Sequence, residues 1–418
     1  MKMALFFVVC LALGATAAEP AITDVVVRQR WPWSRLVDIT YVLACDSTQK
    51  VDVIVNAYDG DTALTLPPNA LTGDLYSVSR GQKRIVLDPE KTAYTNEILN
   101  QFRVALTPSP VALYMIVDLT ASAGATNQIA YVYEAELVTN KWGSWARNPI
   151  TNNGTAIESV IWTGVTNAVY KTDKLVLRRV TAGSFTMGEA GNSAVVTLTK
   201  DFFVGVFPVT QKQFKWVMSN WNPSYFPSDA GPVERVTYYH IRENPSGGDG
   251  MGTPISPNWP ASNGVGTNSF MGKLRDRTSI AGFDLPTEAQ WEYACRAGTT
   301  SYFNDGVSTG LSDTNILKNL GWYIDNSGST THTVGLKQPN AWGLYDMLGN
   351  VYDWCLDWQL ATLADAADPK GATSGANRVK RGGCWYSTPD YCRSAFRAAN
   401  LPQTGQQYNG FRLVRILP

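Results

Sequence analysis

The sequence predicts an α+β protein in two parts, a small all-β sandwich followed by a larger loop-rich domain, and three observations lead there. Residues 22–139 alternate apolar and polar side chains with many β-branched residues, 35 Gly and 22 Pro supply turns, and one well-capped helix pattern stands at 287–298. At 418 residues the chain also exceeds the size at which a single core keeps growing, so two domains are expected.

In the N-terminal part, Val37, Ile39, Tyr41 and Leu43 share one face of a strand, and Val51, Val53 and Val55 follow after a polar break. Asp59-Gly60, Pro67-Pro68, Gly73-Asp74 and Gly81-Gln82 punctuate further runs, including Arg84 to Leu87 and Val111 to Leu119, at sandwich-like spacing. Residues 19–139 are read as this sandwich. With no His and no phosphate loop, it is a spacer or docking module. Residues 140–172 lack sustained periodicity and read as a connector, in which the Asn153-Gly154-Thr155 sequon is incidental.

Residues 173–418 form the second domain. It opens with a strand at Lys174 to Val180 and a short strand between the turns of Gly183 and Gly188. Thr210 caps a helix that buries Phe214, Val217 and Met218. Residues 243–268, rich in Gly, Pro, Ser and Asn, read as an inserted loop. The clearest helix has Thr287 as N-cap, Gln290 as its capping-box partner, Glu292 and Arg296 spaced to pair, and Gly298 at its end.

Composition excludes several functions. Lys plus Arg and Asp plus Glu both total 35, so no long-range field gathers nucleic acid, and none is expected as a partner. Lys2, the apolar run from Ala4 to Gly14 and the small residues Ala15 to Ala18 read as a signal peptide over residues 1–18. That run is about half the ~20 residues a spanning helix needs, so an exported protein, periplasmic or secreted, without a membrane span is expected. Val8 and Val9 precede Cys10 where lipidation favours small residues. Cys45, Cys295, Cys355, Cys384 and Cys392 remain, an odd number, and at least two of the last four are expected in disulfides.

Four segments carry a resemblance: Leu285-Pro-Thr-Glu-Ala-Gln-Trp-Glu-Tyr-Ala-Cys-Arg-Ala-Gly298, Gly343-Leu-Tyr-Asp-Met-Leu-Gly-Asn-Val-Tyr-Asp-Trp354, Arg381-Gly-Gly-Cys-Trp385 with Cys392-Arg-Ser-Ala-Phe-Arg397, and Asn409-Gly-Phe-Arg412. Together with Phe185-Thr-Met-Gly188 and Phe207-Pro-Val-Thr210, this order resembles the sulfatase-modifying-factor or formylglycine-generating-enzyme family over about 240 residues. The resemblance implies a loop-rich C-type-lectin-like fold. It also implies a structural calcium ion held by the side chains of Asp346 and Asp353 and the carbonyls of Gly349 and Val351, hard oxygen donors of the kind Ca²⁺ prefers. Asn319, Asp325 and Asn326 are candidates for a second site.

Enzymatic members of that family oxidise a sulfatase cysteine to formylglycine with O₂ and Cu(I) held by two cysteines. The resemblance places the second copper cysteine at Cys392, but Ser387 stands where the first belongs, Cys384 where the enzymes have serine, and Tyr352 where they have tryptophan. A hydroxyl is a poor Cu(I) ligand, so the copper site reads as altered. Cys392 and Cys384 remain the catalytic candidates, with Tyr352, Trp385, Ser387 and Tyr391 lining the groove. His240 and His332 are too few for a His-rich metal motif. Lys337-Gln-Pro-Asn340 is similar to a lectin sugar-binding tripeptide but lacks its companion run. No Gly-x-Ser-x-Gly elbow supports hydrolysis. Three readings follow: a calcium-stabilised binder of a polypeptide client or extracellular ligand, a thiol oxidase, and a glycan or surface-recognition module.

Overall fold

The alternation at 37–43 produces the strand it predicts. Val37–Ala44 buries Val37, Ile39, Tyr41 and Leu43 and turns Asp38, Thr40 and Val42 outward. It pairs antiparallel with Ala21–Gln29 and Gly81–Leu87, and Leu71–Gly73 completes a four-stranded sheet. A second antiparallel sheet orders Thr62–Leu64, Asp52–Asp59 and Phe102–Ser109. Ile39, Tyr41 and Ile85 from the first sheet meet Val53 and Val55 from the second in one apolar cluster. The structure, a computed structural model, describes residues 19–417 except 31–33, 48, 67–69, 96, 110, 126, 134–164 and 247–251. The leader, the sequon and most of the connector therefore lie outside the described residues.

The run at 111–119 is a strand, Ala112–Asp118, but it does not join the N-terminal sheets. It pairs with Lys174–Val180 in a six-stranded antiparallel sheet ordered Phe283–Asp284, Val414–Ile416, Phe202–Gly205, Lys174–Val180, Ala112–Asp118, Ile129–Tyr133. Alternation specifies which face a strand buries, not which neighbour it takes. Here Met115 and Val117 pack with Leu175, Leu177 and Phe203 in the larger core. A buried ion group ties the N-terminal sheets to this core. Arg179, whose side chain is 1% exposed, reaches Asp52 at 2.8 Å and Asp201 at 3.0 Å, and Ser77 donates to Asp201.

The rest is sheet with short helices. Two small sheets, one of Gly183–Glu189, Asn192–Leu198 and Ala366–Ala367 and the other of Ala398–Asn400, Arg378–Arg381, Tyr352–Trp358 and Asn409–Gly410, flank the motif loops. Helix α1 (Gln211–Val217) carries the capping box of Thr210 with Gln213, and α2 (Tyr238–Arg242) carries one from Thr237 in which His240 replaces the usual Gln or Glu. Then follow α3 (Phe270–Thr278), α4 (Glu288–Arg296) and α5 (Thr314–Leu320). Helix α4 has the expected box of Thr287 with Gln290, and its left-handed ending starts one residue early, at Ala297, before Gly298. Among the described residues no helix is long and apolar enough to cross a membrane.

Helix α4 is fixed by charge as well as by apolar contact. Glu292, fully buried, accepts from the Gly188 amide and from Arg296 Nε, each at 2.8 Å, and pairs with buried Arg381. Glu288 takes both arms of Arg397 at 2.7 Å. Strand Tyr352–Trp358 adds Asp353, whose Oδ2 accepts from Arg412 Nε at 2.6 Å and Trp291 Nε1 at 2.9 Å. Removing one partner of such a group strands a charge in a dry interior, at a cost of about 3–5 kcal/mol. Arg381→Ala is expected to lower unfolding free energy by about that much in urea titrations with an unchanged m-value; a loss under ~1 kcal/mol would contradict this account of the network.

Candidate functional site

Strand Arg378–Arg381 runs into Gly382 and Gly383, at φ +98° and +75°. A Cβ on Gly383 would lie 2.6 Å from Cys392 Sγ, so only glycine lets the two segments close. The closure brings Cys384, Ser387 and Cys392 beside Tyr352. Ser387 Oγ is the hub of this pocket: it accepts the Cys384 amide at 3.0 Å, donates to Tyr352 Oη at 3.3 Å, and lies 3.2 Å from Cys384 Sγ.

Burial keeps both thiols protonated. Cys392, 0% exposed, is pushed well above the ordinary thiol range by desolvation, and the nearby Cys384 raises it further. Burial also raises Cys384, but Ser387 and Lys380 act against it. Lys380 was not singled out in the sequence, where a Lys beside Arg381 in a strand reads as solvent-facing. It is in fact buried: Nζ sits over the rings of Tyr352 at 4.4 Å and Tyr408 at 4.9 Å and bonds Asn409 Oδ1 at 3.1 Å. Desolvation lowers its ammonium to about 8.

The residues expected to line a groove divide by depth. Tyr352, Ser387 and Trp385 are buried, with Trp385 Nε1 donating to the Gln407 carbonyl at 2.9 Å, whereas Tyr391 stands exposed against Phe396. Phe226 meets Trp385 edge-on at 5.4 Å, and Tyr225 and Tyr386 are about 60% exposed beside it. Sequence reading missed the Tyr225-Phe226 contribution, because only the fold carries it across to Trp385.

The Asp346-to-Asp353 loop turns through left-handed residues at Asp346, Gly349 and Asn350. The Asp346 carboxylate, raised by burial, accepts the Gly335 amide at 2.6 Å and Asn350 Nδ2 at 3.4 Å. Asp353 Oδ1 is buried without a hydrogen-bond partner. Of the second candidate set, Asn326 spends its side chain on the turn at Gly321 and Tyr323, and Asn319 reaches back to Asn315 in α5. His332 stacks on Trp322 at 3.7 Å, and Asn340 binds the Ala294 and Cys295 carbonyls at the end of α4, so both serve packing. Among the described residues no group of three or more His, Cys, Asp or Glu side chains is placed to hold a metal.

The expected disulfides are not formed: Cys45, Cys295, Cys355, Cys384 and Cys392 are all free. Cys295, Cys355 and Cys392 lie in one apolar cluster, where a thiol packs as a small hydrophobe. Burial pushes Cys295 up to about 12 and Cys355 well above its usual range. Native protein is therefore expected to leave these three and Cys384 unreactive toward a water-soluble disulfide reagent, with all four titrating after denaturation. Thiols missing from the denatured, unreduced sample would instead reveal linked cysteines.

Comparison with known proteins places this geometry among relatives. The family model for the sulfatase-modifying factor enzyme 1-like domain matches residues 165–417. The formylglycine-generating enzyme of Mus musculus is 37% identical over 145 residues, covering 32% of this chain and 39% of that protein. Chaperone protein LppX of Paenibacillus barcinonensis is 29% identical over 252 residues, covering 52% of this chain and 80% of that protein. Among solved structures, Treponema denticola variable protein 1 aligns with 58% of this chain and 95% of its own, at TM-score 0.46 and 29% identity. PvdO from Pseudomonas aeruginosa aligns at TM-score 0.44 and 22% identity, over 58% and 94%.

Proposed function

Because this chain belongs to the sulfatase-modifying factor enzyme 1-like domain family, we propose that it is an exported polypeptide-binding member whose copper oxidase site has been rebuilt into a closed hydrogen-bonded pocket. The observation that carries this reading is Ser387. Its hydroxyl is committed to Tyr352 and to the Cys384 amide, and it is a hard donor where Cu(I) asks for sulfur. Cys392 and Cys384 are buried and held as thiols, so neither offers a ready thiolate. The donor set does not fit the ion. The reading includes the finer architecture expected from the resemblance, a C-type-lectin-like domain behind a β-sandwich.

Similarity to LppX, named a chaperone, spans most of that protein and favours handling of a polypeptide over oxidation. Trp385, Tyr386 and Tyr391 offer an aromatic wall and rim suited to an extended segment. The oxidase reading keeps one specific support, the two thiols at 384 and 392 on adjoining segments. Co-expression with a Cys-x-Pro-x-Arg peptide and added Cu(I) separates the two. Mass spectrometry is expected to find the peptide cysteine intact while fluorescence anisotropy detects its binding, weakened about fivefold or more by Trp385→Ala. Aldehyde above background would restore the enzyme.

Calcium belongs to the same reading. Asp346, the carbonyls of Gly349 and Val351, and Asp353 would hold it, and the unpartnered, buried Asp353 Oδ1 is the kind of oxygen a hard cation satisfies. The ion would brace the loop that leads into strand Tyr352–Trp358. At about 100 times its Kd, Ca²⁺ is expected to stabilise the fold by about 2.7 kcal/mol, read as a rise in Tm that chelator reverses and Mg²⁺ does not reproduce. No response to either treatment would remove calcium from the proposal.

A further inference from the structure

Outside the thiol pocket, Glu234 is a buried carboxylate to which the site chemistry gives no role. Its side chain is 0% exposed, and Oε1 alone accepts both the Tyr225 amide and, at 2.8 Å, the Phe226 amide. The backbone is stitched at the same place: Glu234 N–H donates to Ser224 Oγ at 3.1 Å, and that hydroxyl approaches the Glu234 carbonyl at 3.5 Å. Oε2 is buried with no hydrogen-bond partner. What Glu234 holds is the turn whose Phe226 ring leans on Trp385 and whose Tyr225 projects into solvent.

We propose that the Tyr225-Phe226 turn is a movable lip of the client groove, and that Glu234 is the positioning residue that keeps it shut when protonated and releases it when ionised. The inference rests on the reading of the groove as a client site. An ionised carboxylate with one oxygen unpaired in the interior is costly, and an open lip would return that oxygen to water. Arg235, beside Glu234 in the chain, is the cation that favours its charged form. Tyr225 lies on the lip itself, Asp229 farther along the loop is held by Lys215 and Lys212, and His240 on α2 faces Trp221.

The sign follows from linkage. Burial raises the closed-lip acid from 4.5 to about 7, against the opposing pull of the two amides and Arg235. An open, hydrated lip would leave Glu234 near its ordinary value, so the closed form binds the proton more tightly and acid favours closure. Opening therefore grows about tenfold per pH unit between about 4.5 and about 7, then levels off.

Hydrogen exchange on the full chain, corrected for intrinsic rates, tests this without any client. Protection of the Tyr225 and Phe226 amides is expected to fall about tenfold per unit from pH 5 to 7 and to change little above. Glu234→Gln, uncharged but still an acceptor, should stay protected at every pH, and Glu234→Ala should be unprotected at every pH. Strand Lys174–Val180 should keep its protection in all three, which guards against simple misfolding. A flat profile in the wild type, or an equal slope in Glu234→Gln, would overturn the lip. If instead the client reading is wrong, this pH profile persists while peptide binding fails.

Discussion

The buried pairing of two glutamates on α4 with arginines from the C-terminal motifs is the constraint on which the rest of this domain depends. Each charge taken from water into the interior loses several kcal/mol of hydration, and only a close, hydrogen-bonded partner offsets that loss. Glu292 is satisfied by Gly188, Arg296 and Arg381 together, and Glu288 by Arg397 and the longer contact from Arg381 at 3.7 Å. None of these side chains can be buried alone. The motifs must therefore arrive as a set, and a helix of nine residues too short to be stable by itself becomes the anchor of a loop-rich domain.

That anchor explains how an irregular segment holds a site. The stretch from Gly382 to Phe396 contains one short helical turn, Pro389–Cys392, and no strand. Its two ends, Arg381 and Arg397, are both clamped to α4. A loop fixed at its ends by buried ion pairs, with Gly382 and Gly383 permitting the tight return, can present Cys384, Ser387 and Cys392 to one another without regular structure. Arg412 does the same for Tyr352 by holding Asp353, the next residue of its strand.

How much of this was legible in the sequence follows the range of each interaction. The Thr210 cap, the Thr287 capping box and the Glu292–Arg296 pair act over three or four residues, so spacing revealed them, although the Gln213 half of the Thr210 box emerged only in the structure. The buried face of Val37–Ala44 is likewise local. Partner choice is not: nothing within Ala112–Asp118 distinguishes the N-terminal sheets from Lys174–Val180. Cysteine number suggested disulfides, whereas the fold uses three of the thiols as core volume. Lys380 and Glu234 were invisible for a related reason, since a charged side chain reads as surface until the neighbours that bury it are known.

The sulfur at 384 and the oxygen at 387 lie 3.2 Å apart and have different parts in the packing. At 387 the oxygen bridges the Cys384 amide and the Tyr352 phenol, two bonds a thiol makes only weakly and at longer distance. Tyr352 is in turn one of two rings over Lys380, whose ammonium burial lowers to about 8. Ser387, Tyr352 and Lys380 thus form a connected polar wall that is satisfied as it stands. Beside this wall burial holds Cys384 and Cys392 as neutral thiols, so the segment is closed by hydrogen bonds and apolar packing together.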